Sequence, residues 1–300
     1  MNVRAFVTGG GGFAGRHLVA HLTALGRTVI APPHRELELL DANAVRHAIS
    51  EAEPDEVFHL AAFASVARSW EHPRRAVVPN LEMTLNVLEA VRLDAPAARV
   101  LDASSGEIYG RPERLPVDEV AQLRPQNPYA TSKAACDLLA AQYSNGYGLH
   151  VVVTRAFNHA GPGQGEDWVL GTLSRQVAVA EARGDAEVVL RTGNPESRRD
   201  FTDVRDVVRA YTAALSAVPG AYNVCSGVSV SVRELVELVG EAARLPVRHE
   251  IDPERVRAHD VPEVRGASER LRAATAWTPE IPLVQTVADA IDWWRTRLAG

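Results

Sequence analysis

Tyr129 and Lys133 stand four residues apart in the run Tyr129-Ala-Thr-Ser-Lys133, and Lys133 is the only lysine among 32 basic side chains, the other 31 being arginine. No other basic residue in the chain lies four places after a tyrosine. On a helix, residues i and i+4 share one face, so the phenol and the ammonium can meet in one pocket. Lysine is a compact point charge on a flexible stem, whereas arginine is a planar, permanently charged fork. A cation beside a tyrosine favours the phenolate and draws the phenol down from its usual value near 10 (~10). That would make Tyr129 a usable general acid or base. A surface Tyr-Lys pair has the same spelling, so the surrounding elements must decide.

A second chemical feature sits near the start. The run Thr8-Gly9-Gly10-Gly11-Gly12-Phe13-Ala14-Gly15 follows the apolar strand pattern VRAFVT and precedes an amphipathic helix. Gly9, Gly12 and Gly15 satisfy GxxGxxG. Glycines at this spacing allow a tight turn, close approach of backbone to a pyrophosphate, and packing of helix on strand. No Gly-Lys-Ser/Thr follows, which excludes a Walker loop. A dinucleotide site for NAD expects an acid at the end of the second strand, but TVIAPPHR ends in Pro33, His34 and Arg35. These basic residues either accept a 2′-phosphate, which favours NADP(H) over NAD(H), or merely solvate a turn. Glu38 and Leu39 follow on a short link and are expected beside the adenine.

The elements that must position these groups are legible as alternating runs. Strand patterns VRAFVTG, TVIA, EVFHLAA, RVLDASS and VVVTRAF alternate with helices near Ala14 to Leu25, Ala42 to Ala52, Asn80 to Arg92, and the one bearing Tyr129. This is the pattern of an α/β fold with a doubly wound parallel sheet. Pro and Gly thicken at Gly161-Pro-Gly-Gln-Gly165 and Gly193-Asn-Pro195, where the chain is expected to leave the sheet for a second lobe. The expected division is 1–157, with 202–225 returning, for the dinucleotide, and 158–201 with 226–300 for a substrate.

At 300 residues, 46% hydrophobic and 23% charged, the chain has the composition of a soluble globular protein with a large core. A net charge of -6 and the lack of any basic run argue against nucleic-acid binding. No signal peptide or membrane span is recognisable, and the two cysteines, Cys136 and Cys225, have no metal spacing, so a cytoplasmic location is expected.

Taken together, the TGxxGFxG loop, the stretch Ala103-Ser-Ser-Gly-Glu-Ile-Tyr-Gly110 and YATSK resemble the extended short-chain dehydrogenase/reductase family, which acts mainly on nucleotide sugars. Arg155-Ala-Phe-Asn-His-Ala-Gly-Pro-Gly-Gln164, Arg199-Asp-Phe-Thr-Asp-Val-Arg-Asp206, Tyr222-Asn-Val-Cys-Ser-Gly227 and Trp277-Thr-Pro279 are similar to its GDP-4-keto-6-deoxy-mannose reductase and GDP-mannose 4,6-dehydratase branch. The resemblance implies a Rossmann sheet with a smaller C-terminal lobe and a catalytic set of Ser105, Tyr129 and Lys133. Ser105 and Tyr129 would bind the 4-keto oxygen of a 6-deoxyhexose, Tyr129 would deliver the proton, and Lys133 would hold the nicotinamide ribose. Ala61 and Ala62 would join the cofactor contacts, and Ser65 the substrate contacts.

Glu107 keeps a second reaction open. A Glu at this place takes the C5 proton in the dehydratases, and it could equally position a substrate hydroxyl in a reductase. Gly106 offers no side chain to protonate a departing 6-hydroxyl, so reduction ranks first and dehydration or 4-epimerisation second. Asn158, Arg191, Arg199 and Arg257 are the family-matched candidates for the substrate diphosphate, since Arg grips phosphate in a bidentate way. Asp260 is a candidate ribose ligand, although the family's proline is missing from Arg257-Ala-His-Asp260-Val261. The family also implies a homodimer built on the Asn80 and Tyr129 helices. His17 and His21 share a helix face but lack an evident third ligand, so no metal is expected. No GxSxG elbow supports a hydrolase. A third reading, a cofactor-binding sensor without chemistry, sits poorly with a complete Ser-Tyr-Lys set.

Overall fold

The computed structural model describes residues 3–256 and 261–299. The chain runs through β1 (Arg4–Thr8), α1 (Phe13–Ala24), β2 (Thr28–Ile30), α2 (Ala42–Ala52), β3 (Glu56–His59), α3 (Val66–Glu71), α4 (Pro73–Asp94), β4 (Arg99–Ser105), α5 (Pro128–Tyr147) and β5 (Val151–Ala156). Next come β6 (Asn158–Ala160), α6 (Val169–Arg183), β7 (Val188–Thr192), β8 (Arg198–Asp203), α7 (Val204–Ala214) and β9 (Gly220–Val224). It ends with β10 (Ser229–Ser231), α8 (Val232–Ala242), β11 (Val247–Ile251), β12 (Glu263–Val264), α9 (Glu269–Thr275) and α10 (Leu283–Ala299).

Six strands form one parallel sheet in the order β2-β1-β3-β4-β5-β9. A sheet covered on both faces buries every residue of its central strands, and β5 is buried along its whole length. On one face, Leu18 and Leu22 of α1 pack with Val207 and Tyr211 of α7 over Leu101. On the other, Val45 and Ile49 of α2, Val91 of α4 and Tyr143 of α5 pack over Val57, Val100 and Val153. Burying each such side chain contributes roughly 1.5–3 kcal/mol.

Local chemistry sets the helix starts. Asp41 caps α2 by accepting from the Asn43 and Ala44 N–H groups at 2.9 and 3.1 Å. The fourth helix begins at Pro73, earlier than the expected start near Asn80, and runs through Pro79. An interior proline removes a helix hydrogen bond and reads as a stop signal. Tertiary bonds offset that loss next door: Asn80 Oδ1 accepts from Phe63 N at 2.7 Å, and its Nδ2 donates to Ser132 Oγ at 2.9 Å.

Segments between β5 and β9, joined by others that follow β9, build a smaller assembly. Here β8 pairs with β6, β10 and β12, and β7 pairs with β11. Leu173 of α6, Leu235 of α8 and Ile291 of α10 form its core. Not all of 226–300 stays there. Leu271 of α9 and Trp277 join the core of the large sheet, where Trp277 Nε1 donates to Asp206 O at 3.0 Å. Among the described residues no helix is long and apolar enough to cross a membrane.

Candidate active site

In an open α/β sheet, ligands bind beyond the carboxyl ends of the strands where the strand order reverses. That reversal lies between β1 and β3, and a cavity of about 1560 Å³ opens there. Ligand pockets usually measure roughly 300–1,000 Å³, so this cavity has room for more than one drug-sized molecule.

The glycine loop forms one wall. Gly9 takes φ +73°, and a Cβ on it would stand 2.7 Å from Ala61 N. A Cβ on Gly15 would stand 2.0 Å from Gly9 O, so α1 could not pack against the loop with any side chain there. No side chain caps α1, which leaves its first N–H groups and positive dipole end for an anion. These features fit a pyrophosphate. Gly9, Gly12, Phe13, Gly15, Ala61 and Ala62 all line the cavity, with Glu38 and Leu39 at the end near β2. The Phe13 ring stacks on His159 at 5.8 Å. His34 also lines this end, but Arg35 does not; it is exposed and pairs with Glu36 at 3.3 Å. A 2′-phosphate held here would therefore meet His34 first.

The chemistry-bearing cluster lies further along, where β4 ends and α5 begins. Asn127 caps α5 by accepting from Ala130 N at 2.8 Å, with Pro128 in the first turn, so Tyr129 and Lys133 lie on the first two turns. Tyr129 is 9% exposed and its hydroxyl lies within reach of Ser105, whose Oγ accepts from Glu107 N at 3.2 Å. Lys133 is buried, and its Nζ donates to Ala103 O at 2.6 Å. Glu107 lines the cavity and accepts from Asn127 Nδ2 at 3.2 Å.

The electrostatics correct one expectation. Burial pushes the Tyr129 phenol up, and the downward pulls of Lys133 and the Ser105 hydrogen bond reduce that rise without reversing it. The phenol therefore stays protonated at neutral pH, which suits a proton donor better than a base.

Of the expected substrate contacts, Ser65, Asn158, Arg191 and Arg199 line the same cavity. Arg191 pairs with Glu250 at 3.1 Å, and Arg199 Nη1 donates to Val261 O at 2.8 Å. Arg257 and Asp260 lie outside the described residues. His17 does not face a metal cluster; its Nε2 donates to Pro162 O at 2.8 Å. Sequence reading missed Asn127, Gln164, Trp168, Asn194 and Glu254, all of which line the cavity. Only Asn127 carried a signal, the Asn-Pro spelling of a helix cap. The rest arrive from distant segments.

A family model for GDP-mannose 4,6-dehydratase matches residues 33–290. The chain belongs to that family. Within it, a GDP-6-deoxy-D-mannose reductase of Pseudomonas aeruginosa is 37% identical, with 99% of each chain covered. The solved structure of RMD from Pseudomonas aeruginosa complexed with NADPH superposes with a TM-score of 0.90 at 36% identity, again over 99% of each chain. A GDP-mannose 4,6-dehydratase of Yersinia enterocolitica is 26% identical, covering 85% of this chain and 76% of that relative. Members of the family are nucleotide-sugar enzymes on an extended short-chain dehydrogenase/reductase fold, and this chain has that fold and is an oxidoreductase of that kind.

Proposed function

We propose that this chain uses NADP(H), with NAD(H) as the alternative, to reduce the 4-keto group of a nucleotide-linked 4-keto-6-deoxyhexose of the GDP-4-keto-6-deoxy-mannose type. The observation that carries it is continuity: one cavity runs from the glycine cradle past Ser105, Tyr129 and Lys133 to Arg191 and Arg199. Similarity to a GDP-6-deoxy-D-mannose reductase, and to a structure complexed with NADPH, supports the choice of substrate and cofactor.

A dihydronicotinamide held by this cradle would supply the hydride. The glycine loop would hold the pyrophosphate, and Lys133 the nicotinamide ribose. Ser105 and Tyr129 donate hydrogen bonds to the 4-keto oxygen and so stabilise the charge that develops on it. Tyr129 Oη then passes its proton to that oxygen, a transfer that its burial favours by holding the phenol neutral beforehand. Asn158, Arg191, Arg199 and Arg257 take the diphosphate, and Asp260 a ribose hydroxyl. Residues 1–157 with 202–225 form the cofactor lobe, and 158–201 with 226–300 carry the sugar nucleotide, apart from the α9 return.

Glu107 favours a second reading, 4,6-dehydration or 4-epimerisation with recycled cofactor. In a reductase it orients a sugar hydroxyl through the Asn127-tethered carboxylate, so Glu107→Gln should weaken turnover by no more than about tenfold, the scale of one hydrogen bond. In a dehydratase the same change removes the base and abolishes keto-sugar formation. Rates for both substrates with this variant decide the role.

A second copy of the chain is the proposed partner. Leu85 and Leu93 of α4 and Leu138 and Tyr147 of α5 are exposed, as a two-helix face awaiting its twin would be. Sedimentation equilibrium should give twice the chain mass; a monomer at micromolar concentration sinks this assignment.

The deciding assay follows NADPH absorbance with GDP-4-keto-6-deoxy-mannose, and in parallel with GDP-mannose. Loss of one NADPH per keto sugar supports the reductase. Constant NADPH with conversion of GDP-mannose supports the dehydratase, and no change in either overturns both.

A further inference from the structure

Beneath the Tyr129 and Lys133 pair lies a buried carboxylate that the reaction as described does not use. Asp102 stands on β4, three residues before Ser105, and is 1% exposed. Neither of its carboxyl oxygens has a hydrogen-bonding partner among the described residues. Such a group is costly unless a charge nearby compensates it.

Its neighbours from every packed element narrow the choice. From β3, His59 is its register partner, but that ring is committed to Thr8 Oγ1 at 2.7 Å and Thr84 Oγ1 at 3.2 Å. From α5 come Lys133, Cys136 and Asp137, all within electrostatic reach. Asp137 is committed in turn: Arg155 of β5 donates to its two oxygens from Nε at 2.8 Å and Nη2 at 3.2 Å. From α7 comes Tyr211, which lies within electrostatic reach of both Asp102 and Tyr129. Lys133 is the cation that remains. Its Nζ is fastened to Ala103 O, the residue next to Asp102, so the ammonium and this carboxylate share one stretch of strand.

We propose that Asp102 is a positioning residue, the buried counter-charge that holds the Lys133 ammonium against β4 and tempers its pull on the Tyr129 phenol. The proposal rests on the reading of Tyr129 as proton donor with Lys133 beside it.

The titration behaviour agrees with the geometry. Burial raises Asp102 to about 6, against the pull of Lys133 and with a further push from Asp137. Burial and the Lys133 charge hold His59 down at about 3, whereas burial and Asp102 push the Cys136 thiol up to about 11. Tyr211 is also pushed up, by burial first and then by Tyr129 and Asp102. Of these displaced groups, Asp102 alone changes charge near neutrality. Above about pH 6 it is ionised and partly cancels the ammonium at Tyr129; below, it is neutral and the phenol feels the full cation.

Asp102→Asn makes the second condition permanent. The phenolate absorbance of Tyr129, read as the difference between proteins with and without Tyr129→Phe, should then titrate about one unit lower than in the unsubstituted protein. The alkaline loss of keto-sugar reduction should move down with it, and any inflection near pH 6 should vanish. Thermal melting at pH 8 supplies a readout independent of catalysis. If the pair exists, the Tm changes of Asp102→Asn and Lys133→Met are non-additive, and Lys133→Met costs less Tm when position 102 is already Asn. A carboxylate that is merely buried would instead give the same Tm change on Asp102→Asn whatever occupies position 133. An unmoved phenolate titration, or additive melting shifts, overturns the proposal. The two physical readouts need no substrate, so failure of the reductase assay leaves this test intact.

Discussion

Replacing Tyr129 with phenylalanine is expected to leave NADPH binding intact and to lower keto-sugar turnover by at least about a hundredfold, the smaller end of what a positioned general acid supplies. Phenylalanine keeps the ring in the same buried place at the start of α5, so packing survives. What is lost is the hydroxyl beside Ser105 that the proposed mechanism uses as its proton donor. Ser105 would remain to polarise the keto oxygen, which is why residual activity is expected rather than none. The unsubstituted enzyme should hold its rate through neutral pH and lose it only on the alkaline side, because burial raises the phenol and reduction fails once the proton is gone. Cofactor fluorescence quenching and steady-state rates measured on one preparation check this, and near-normal turnover would remove Tyr129 from the mechanism.

Lys133→Arg should be almost as damaging, even though charge is conserved. The position is 4% exposed and the ammonium donates to Ala103 O at 2.6 Å. A guanidinium is larger and flat, and overpacking of this kind costs about 1–3 kcal/mol. One helical turn on, Asp137 already receives the Arg155 guanidinium, so a second one beside it would compete for the same carboxylate. The expected result is a lower melting temperature, weaker NADPH binding and turnover reduced at least about a hundredfold. A variant that binds and turns over normally would make the lone lysine an accident of composition.

How much of this could be read from the chain depends on how local each cause is. The glycine loop was legible because its spacing is local, with Gly15 clearing Gly9 O within seven residues, whereas the closeness of Gly9 to Ala61 is a tertiary contact the spelling does not show. The Tyr129 and Lys133 pair was legible because i and i+4 on a helix is a local rule. The start of α4 was hidden because Pro79 reads as a stop, and what keeps the helix running is Asn80 reaching Phe63 and Ser132. The direction of the Tyr129 shift went the same way. Spacing revealed the cation, but only the assembled core reveals how little water reaches the phenol. Arg35 looked like a phosphate ligand by position, yet the turn leaves it outside the cavity beside Glu36, with His34 facing in.

The single buried lysine also gives the protein an unusual reactivity map. Apart from the α-amino group, amine-selective reagents have only one target in the whole chain, and it sits at the bottom of a cleft. Dyes, biotin or surface tethers that couple through amines and are too large for the cavity should therefore leave Lys133 untouched and the folded enzyme working. An aldehyde small enough to enter the cavity would instead report on the occupancy of the site, since any ligand lying over Lys133 would shield it.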